Sequence, residues 1–362
     1  MCSRVQASLY LPGSDLKVLN NMATKRATIE DVAALAGVSR AAVSKVLRNA
    51  YGVSDEMRSC VELAMGELQY RPQMAARGLR GRTYTIGVVL PEMRNPLFPD
   101  ILDGVWSGLQ GTQYQPLFAV RNTTDKNEQV LIEMMVDRKL DGFVMIAPMV
   151  NRDYLWRMAR TTPLVVLGRH ESGAPFDTVN NDDEQGAFLA VSHLIGQGHR
   201  RIAFFSFEPP EDSAVNPVVF RQRGYTRAMQ AHGLDKRLQI CKTRNGVSDD
   251  EDRQLAHSVL RAARRPTAIF AWHDTVAINV LAEAAEMGLR VPQDLAVVGY
   301  DNFHIGALPQ LQLSSVDQDA HAMGARSATL LIERIEGRSE AVEFVTPARL
   351  VVRRSSTAIA VS

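Results

Sequence analysis

Three cysteines (Cys2, Cys60 and Cys241) are all that this 362-residue sequence contains, and no two of them share a CxxC spacing. That excludes a disulfide framework and a cysteine-based zinc site, and it suits a reducing compartment such as the cytosol. No apolar run approaches the roughly 20 residues of a membrane-spanning helix. Residues 1–21 also lack the continuous apolar core of a secretion signal. The formal charge is close to balanced, at +1. The sequences GxxxxGK[ST], GxSxG and HExxH, each tied to a known chemistry, are missing as well. Paired carboxylates do occur, at Asp182–Asp183 and Asp249–Asp250, and read as helix starts and solvated loops rather than acid–base pairs. These absences point to a soluble protein that binds rather than catalyses, with no metal and no cofactor.

The charge that is present is unevenly spread. Residues 25–82 hold ten Lys/Arg against six Asp/Glu, a net of +4, whereas residues 83–362 carry 29 against 33. A basic segment of this kind suits a surface that meets phosphates. Within it, residues 28–49 read as two short helices. Thr28 N-caps the first, with Asp31 as its capping-box partner, and Val32, Leu35 and Ala36 recur at helical spacing. Gly37 supplies a sharp turn, Ser39 caps the second helix, and Val43, Val46 and Leu47 form its apolar stripe. Two helices joined by a three-residue turn containing glycine make a helix-turn-helix. Its outer face carries Arg40, Ala41, Ser44, Lys45 and Arg48, short or basic as groove reading requires. The alternative is a helical hairpin with a solvated basic face. Ser54 caps a third helix along Val61, Ala64, Met65 and Leu68, and Pro72 ends any continuation.

Residues 72–82, PQMAARGLRGR, form a linker. Gly78 and Gly81 each weaken a helix by roughly 1 kcal/mol relative to alanine. The segment is therefore either a plain connection or a helix that forms only on DNA, with Leu79 as a minor-groove wedge. From Tyr84 onward short apolar runs, at 85–90, 117–120, 142–146, 164–167, 201–205, 268–271 and 295–300, alternate with helical segments. The runs read as buried parallel strands, and the alternation predicts doubly wound α/β sheets. About 270 residues exceed one comfortable core, so two lobes are expected, with ligands at the C-terminal ends of the strands.

On these residues the sequence resembles the LacI/GalR family of bacterial transcription regulators, from about residue 28 to about residue 354. The head matches through TIEDVAALAGVS, VSKVL, VSDEMR and ELQYRP, and the linker through AARGL. The core matches through NPLF, LDGF, HLIGQGHRRIAF, FRQRGY, GLRVPQDLAVVGYDN and ARLVVRRSS. The resemblance implies an all-α helix-turn-helix DNA-binding head plus an α/β periplasmic-binding-protein-like core of two doubly wound lobes. The expected divisions are an N-terminal extension at 1–24, disordered; the head at 25–71; a hinge-helix linker at 72–82; the effector-binding and dimerisation core at 83–353; and a tail at 354–362. Lobe one is expected at about 83–181 and 318–340, and lobe two at about 182–317 and 341–353, with crossings near 181, 317 and 340. The resemblance also implies a homodimer on double-stranded DNA, at a pseudo-palindromic operator. With no Leu-heptad tail after the core, a tetramer is not expected. The implied function is a cytoplasmic, nucleoid-associated repressor whose operator affinity is set by a small molecule, a sugar or sugar derivative, between the lobes. A transporter's solute-binding protein is the alternative, against which the DNA head stands.

Residue by residue, Ser39, Arg40, Ala41 and Ser44 match family positions that enter the major groove, and Arg40 suits a bidentate contact with guanine. Thr28, Lys45, Asn49 and Ser54 suit phosphates. Leu79 matches the family's intercalating leucine and Ala76 the small residue beside it, while Ala42 stands where threonine is usual. In the core, Arg221 and Asp301 match effector contacts, suited to sugar hydroxyls by charge-assisted bonds; otherwise they form a structural ion pair. His273 stands where a ligand-binding asparagine is usual, followed by Asp274, which is also a good N-cap. Asn95 and Phe98 lie on the first strand-to-helix loop, where Phe98 either stacks on a sugar face or joins the core. Gly168, Val247 and Trp272 depart from the family pattern, which leaves an oligosaccharide or a purine open beside a common hexose.

Overall fold

The computed structural model describes residues 27–47, 50–71, 81–121, 128–209, 214–244 and 248–357. They fall into two compact units, divided between Thr83 and Tyr84.

The first unit is three helices: α1 (Ile29–Ala36), α2 (Arg40–Leu47) and α3 (Asp55–Glu67). Thr28 caps α1 in a full capping box, its backbone N–H donating to Asp31 Oδ2 at 2.7 Å and its hydroxyl accepting from the Asp31 N–H at 3.3 Å. Gly37 then takes a left-handed conformation (φ +66°), which a side chain would strain, and the Val38 N–H returns to Ala33 O at 3.0 Å. Val32, Ala33, Val43, Val46, Val61 and Ala64 fill the centre, with Val38 packed against them. Helical spacing places Leu35 inward, yet it is exposed and Ala33 takes its place. Ala33 packs beside Val32 in this cluster, which leaves Leu35 on the solvent side of α1.

The second unit holds two six-stranded sheets. Lobe one begins with β1 (Thr85–Leu90), α4 (Leu97–Leu109), β2 (Gln115–Val120), α5 (Glu128–Val136), β3 (Gly142–Ile146), α6 (Arg152–Ala159), β4 (Leu164–Leu167) and β5 (Asp177–Asn181). The chain crosses at Asp182 and builds lobe two from α7 (Asp183–Gly196), β6 (Ile202–Phe207), α8 (Pro217–Ala231), β7 (Gln239–Thr243), α9 (Asp249–Leu260), β8 (Ala268–Ala271), α10 (Asp274–Glu286), β9 (Ala296–Tyr300) and β10 (Ser314–Asp317). It then returns through α11 (Ala320–Ile335) and β11 (Glu343–Thr346) to lobe one, and ends in lobe two with β12 (Arg349–Val351). The sheet orders are β11-β5-β4-β3-β1-β2 and β12-β10-β9-β8-β6-β7, parallel except where β12 meets β10. Central strands such as TIGVVL in β1 are buried along their whole length, because helices cover both faces of each sheet.

Three expectations need correction. Strand β2 is an edge strand, and Leu117, Phe118 and Val120 on it are exposed rather than buried. Residues 343–346 pair with β5 (Glu343 opposite Thr178, Thr346 opposite Asn181), so they belong to lobe one and the third crossing falls at 347–348, not near 340. The core also runs past residue 353. Ser355 and Ser356 are buried, with Ser355 Oγ donating to Val297 O at 2.7 Å and Ser356 Oγ 2.8 Å from His193 Nε2. Those bonds satisfy hydroxyls that a free tail would leave to water.

Glycines allow the closest helix contacts. A Cβ on Gly224 of α8 would lie 2.1 Å from Glu184 O on α7, and one on Gly324 of α11 would lie 2.0 Å from Ile101 O on α4. The first of these close approaches seats α8, and with it Arg221, against the start of α7.

Candidate functional site

In the head, Thr28, Ser39, Arg40, Ala41, Lys45 and Ser54 are all exposed, and Ser44 is half-buried. The three hydroxyls are capping groups: besides Thr28, Ser39 Oγ accepts from the Ala42 N–H at 3.2 Å and Ser54 Oγ from the Met57 N–H at 3.2 Å. Each cap fixes a helix N-terminus, a backbone arrangement that favours phosphate. Arg40 pairs with Glu30 across α1 and α2 at 3.1 Å, both side chains well exposed. Such an exposed pair contributes about 0–1 kcal/mol. Asn49, Ala76 and Leu79 lie outside the described residues.

In the core, the strands' C-terminal ends bring Arg221 and Asp301 together, though loosely. Arg221 Nη1 is 3.9 Å from Asp301 Oδ1, while its Nε donates to Asp183 Oδ1 at 2.7 Å, Nη1 donates to Trp272 O, and the guanidinium lies 3.7 Å over the Tyr300 ring. The strong partner of Arg221 is therefore Asp183. Burial pushes the Asp183 carboxyl up, but Arg221 and His170 outweigh that and hold it below the usual carboxylate range. Asp301 is different: burial drives its carboxyl well above that range, with Arg221 offsetting only in part. Asp301 and Asn302 both have positive φ (+110° and +56°), a strained turn at the end of β9. Gln318 Nε2 donates to Asp301 Oδ1.

Other expected ligand groups are placed elsewhere. Phe98 packs in the lobe-one core beside Ile101 and Val105, a large apolar ring being most stable there. Asn95 Oδ1 accepts from the Leu97 N–H at 2.9 Å, opening the turn into α4. His273, rather than Asp274, caps α10, its Nδ1 accepting from the Val276 N–H at 3.2 Å. Asp274 accepts from the Phe303 N–H at 2.9 Å and from Ser315 Oγ at 2.6 Å, and burial pushes it up to about 7 despite those bonds. Its role is to tie α10 to β10 and to the segment after β9. Trp272 stands between Phe207 and His273 (ring centroids 4.7 and 3.9 Å), with Nε1 buried and unpartnered among the described residues.

Sequence reasoning missed His170, Asp183 and Phe220. Asp183 was legible only as a helix start and Phe220 only as the first residue of FRQRGY, while His170 carried no signal, since its partners lie on other elements. The His170 ring stacks on Phe220 (centroids 3.9 Å, planes 26° apart), and a cavity of about 430 Å³ opens beside them, lined also by Asp183, Arg227 and Val345.

Asp252 on α9 is buried although its run of carboxylates reads as solvated, and burial, with Asp249 and Glu251 nearby, pushes it up to about 7. Between about pH 4 and pH 7 the folded state holds a proton there that the unfolded chain lacks, so this group lowers stability as pH rises. Asp252→Asn should therefore raise the melting temperature more at pH 8 than at pH 5. The difference cancels the oppositely shifted Asp177 and Asp183, common to both variants. An equal gain at both pH values would mean that Asp252 is already ionised in the fold.

Among the described residues no helix is long and apolar enough to cross a membrane, and no three His, Cys, Asp or Glu side chains are placed to hold a metal. A capped helix-turn-helix with an exposed basic face, followed in the chain by a two-lobed core with polar groups at its strand ends, defines a ligand-responsive DNA-binding regulator. Family comparison agrees at both ends: residues 28–73 match the bacterial regulatory proteins of the lacI family, and residues 191–356 match a periplasmic binding protein-like domain. The HTH-type transcriptional repressor PurR of Pasteurella multocida (strain Pm70) is 32% identical over 337 residues, covering 91% of this chain and 98% of that protein. Catabolite control protein A of Priestia megaterium is 30% identical over 334 residues, covering 91% and 99%. A solved complex of the transcriptional regulator CelR with cellobiose is 30% identical with a TM-score of 0.65, covering 91% of this chain and 100% of that one. The chain belongs to the LacI family: it is a DNA-binding transcriptional regulator with an effector-binding core.

Proposed function

We propose that two copies of this chain bind a pseudo-palindromic operator as a repressor, in the cytoplasm on the nucleoid, and that a sugar or sugar derivative bound between the core lobes sets the affinity. The observation that carries the effector reading is Arg221, a buried guanidinium at the strand ends held by Asp183 and Trp272 O, with Asp301 beside it. Paired charged groups of this kind bind hydroxyls through charge-assisted bonds, and the Trp272 ring lies beside them. The cellobiose in the CelR complex supports a saccharide of more than one ring. Pairing of copies is supported by the apolar side chains left exposed on one edge of lobe one: Leu117, Phe118 and Val120 on β2, and Val130, Met134 and Val136 on α5. In the head, Ser39, Arg40, Ala41 and Ser44 face the major groove, while Thr28, Lys45, Asn49 and Ser54 meet phosphate. Ala76 and Leu79 enter the minor groove.

Selection of duplexes from a random library by the purified protein tests the head, and a thermal-shift panel of mono- and disaccharides and purines tests the core. A recovered consensus with two inverted half-sites is expected. So is stabilisation by one saccharide, about 2.7 kcal/mol at 100 times its dissociation constant. Recovery of unrelated duplexes, or stabilisation by purines alone, would overturn the corresponding half of the reading.

A further inference from the structure

We propose that His170 is a positioning residue that docks lobe one onto the effector arginine through Asp183. The inference rests on the cleft being the effector site, but the bonds it uses do not. His170 lies on the loop between β4 and β5, both strands of the lobe-one sheet. That loop is held to lobe one by Asn180 Nδ2, which donates to Arg169 O at 3.1 Å, and it is stiffened by the Arg169–Glu171 pair at 2.8 Å. Yet His170 reaches lobe two in three ways. Its backbone N–H donates to Val215 O at 2.8 Å, its ring stacks on Phe220, and its Nε2 lies 2.7 Å from Asp183 Oδ2. The other oxygen of Asp183 takes the Arg221 Nε–H at 2.7 Å. One buried carboxylate thus divides its two oxygens between a side chain of lobe one and the arginine of the cleft.

The division has a direct consequence. A ligand that draws on the Arg221 guanidinium moves the carboxylate that His170 holds, and separation of the lobes releases Asp183 to turn wholly toward Arg221. Effector affinity and lobe closure are then linked by one coupling factor, the same in both directions. Asp183 and its two partners are nearly enclosed (side-chain exposures of 3%, 5% for Arg221 and 16% for His170), so the bonds are not diluted by solvent.

The closure can be read without any effector, which keeps failure of this proposal separate from failure of the functional reading. Cys2, Cys60 and Cys241 are replaced by alanine, nitroxide labels are attached through Arg160→Cys on lobe one and Lys236→Cys on lobe two, and pulsed dipolar spectroscopy gives the distance distribution in the full-length protein. The unaltered latch and His170→Gln, which can still donate to Asp183, should give one short population. His170→Ala should lower the ratio of closed to open forms about tenfold, as loss of a hydrogen bond to a charged group implies. His170→Phe keeps a ring against Phe220 but lacks the bond, and should open likewise. An unchanged distribution in His170→Ala overturns the proposal. A closed His170→Phe, with an open Phe220→Ala, overturns the role of Asp183. Melting curves recorded in parallel confirm that each variant is folded, since a purely structural lesion would lower the melting temperature without lengthening the distance.

Discussion

Replacing Arg221 with alanine should destabilise the core by about 3–5 kcal/mol, the cost of leaving one member of a buried ion pair without its partner. Asp183 would keep His170 alone, in a setting with almost no water, and its carboxyl would climb and take a proton. A fall in melting temperature on the order of 10 °C is expected for a core of this size. The informative comparison is the double variant Arg221→Met with Asp183→Leu. Removing both charges together should recover much of the stability, because apolar replacements of similar volume often equal or exceed a buried pair. The double variant should nevertheless give no thermal shift with any saccharide that stabilises the unmodified protein. If it bound that saccharide normally, Arg221 would be a structural residue only. If Arg221→Ala melted normally, the pairing seen here would not be the one that holds α7 against α8.

Arg40→Ala should weaken operator binding by about 1–3 kcal/mol, or roughly tenfold to a hundredfold, and relax selectivity at one base pair in each half-site. Lys45→Ala should instead weaken all duplexes alike and make the salt dependence shallower, by about one unit of slope for each phosphate no longer neutralised. Fluorescence anisotropy on a set of single-base operator variants, at several salt concentrations, separates the two patterns. Equal losses on every duplex for Arg40→Ala would make it a phosphate-binding residue. Its pair with Glu30 lies in solvent, so the folded head should hardly notice the change.

The head was the most legible part of the chain because its signals are local. A capping box, a left-handed glycine and three capping hydroxyls act within four residues of themselves, and each appears where the spacing places it. Among the described residues of the head, the inward side of α1 was misjudged, at Leu35. The sheets were legible for a different reason: strands covered on both faces are continuous apolar runs. The same rule failed at β2, whose apolar side chains face outward, and at β11, where EFVT carries no run at all. A strand of four residues added to a sheet edge from 165 residues away (Glu343 opposite Thr178) leaves no local trace.

The candidate site divides in the same way. Arg221 and Asp301 were found through motif positions, but the geometry between them was not, and the closer partner, Asp183, lies 38 residues before Arg221. Phe98 and His273 went to packing and capping because those roles satisfy a ring and a helix end at once. His170 could not have been singled out, since its hydrogen bonds and its ring stacking are made with residues on the opposite lobe.

The late return of the chain to lobe one has a consequence for the order in which the protein is made. Strand β5 acquires its outer neighbour only when residues 343–346 have left the ribosome, and β10 acquires its own only at 349–351. At roughly 5–20 residues per second, the lobe-one sheet keeps its β5 edge open for as long as it takes to make the chain between Thr178 and Glu343. The three-helix head, complete by residue 71, has no such wait. A chain cut short before residue 343 would therefore carry a complete three-helix head alongside two sheets with unpaired strand edges. Its open strand edges would make such a chain a substrate for chaperones and proteases.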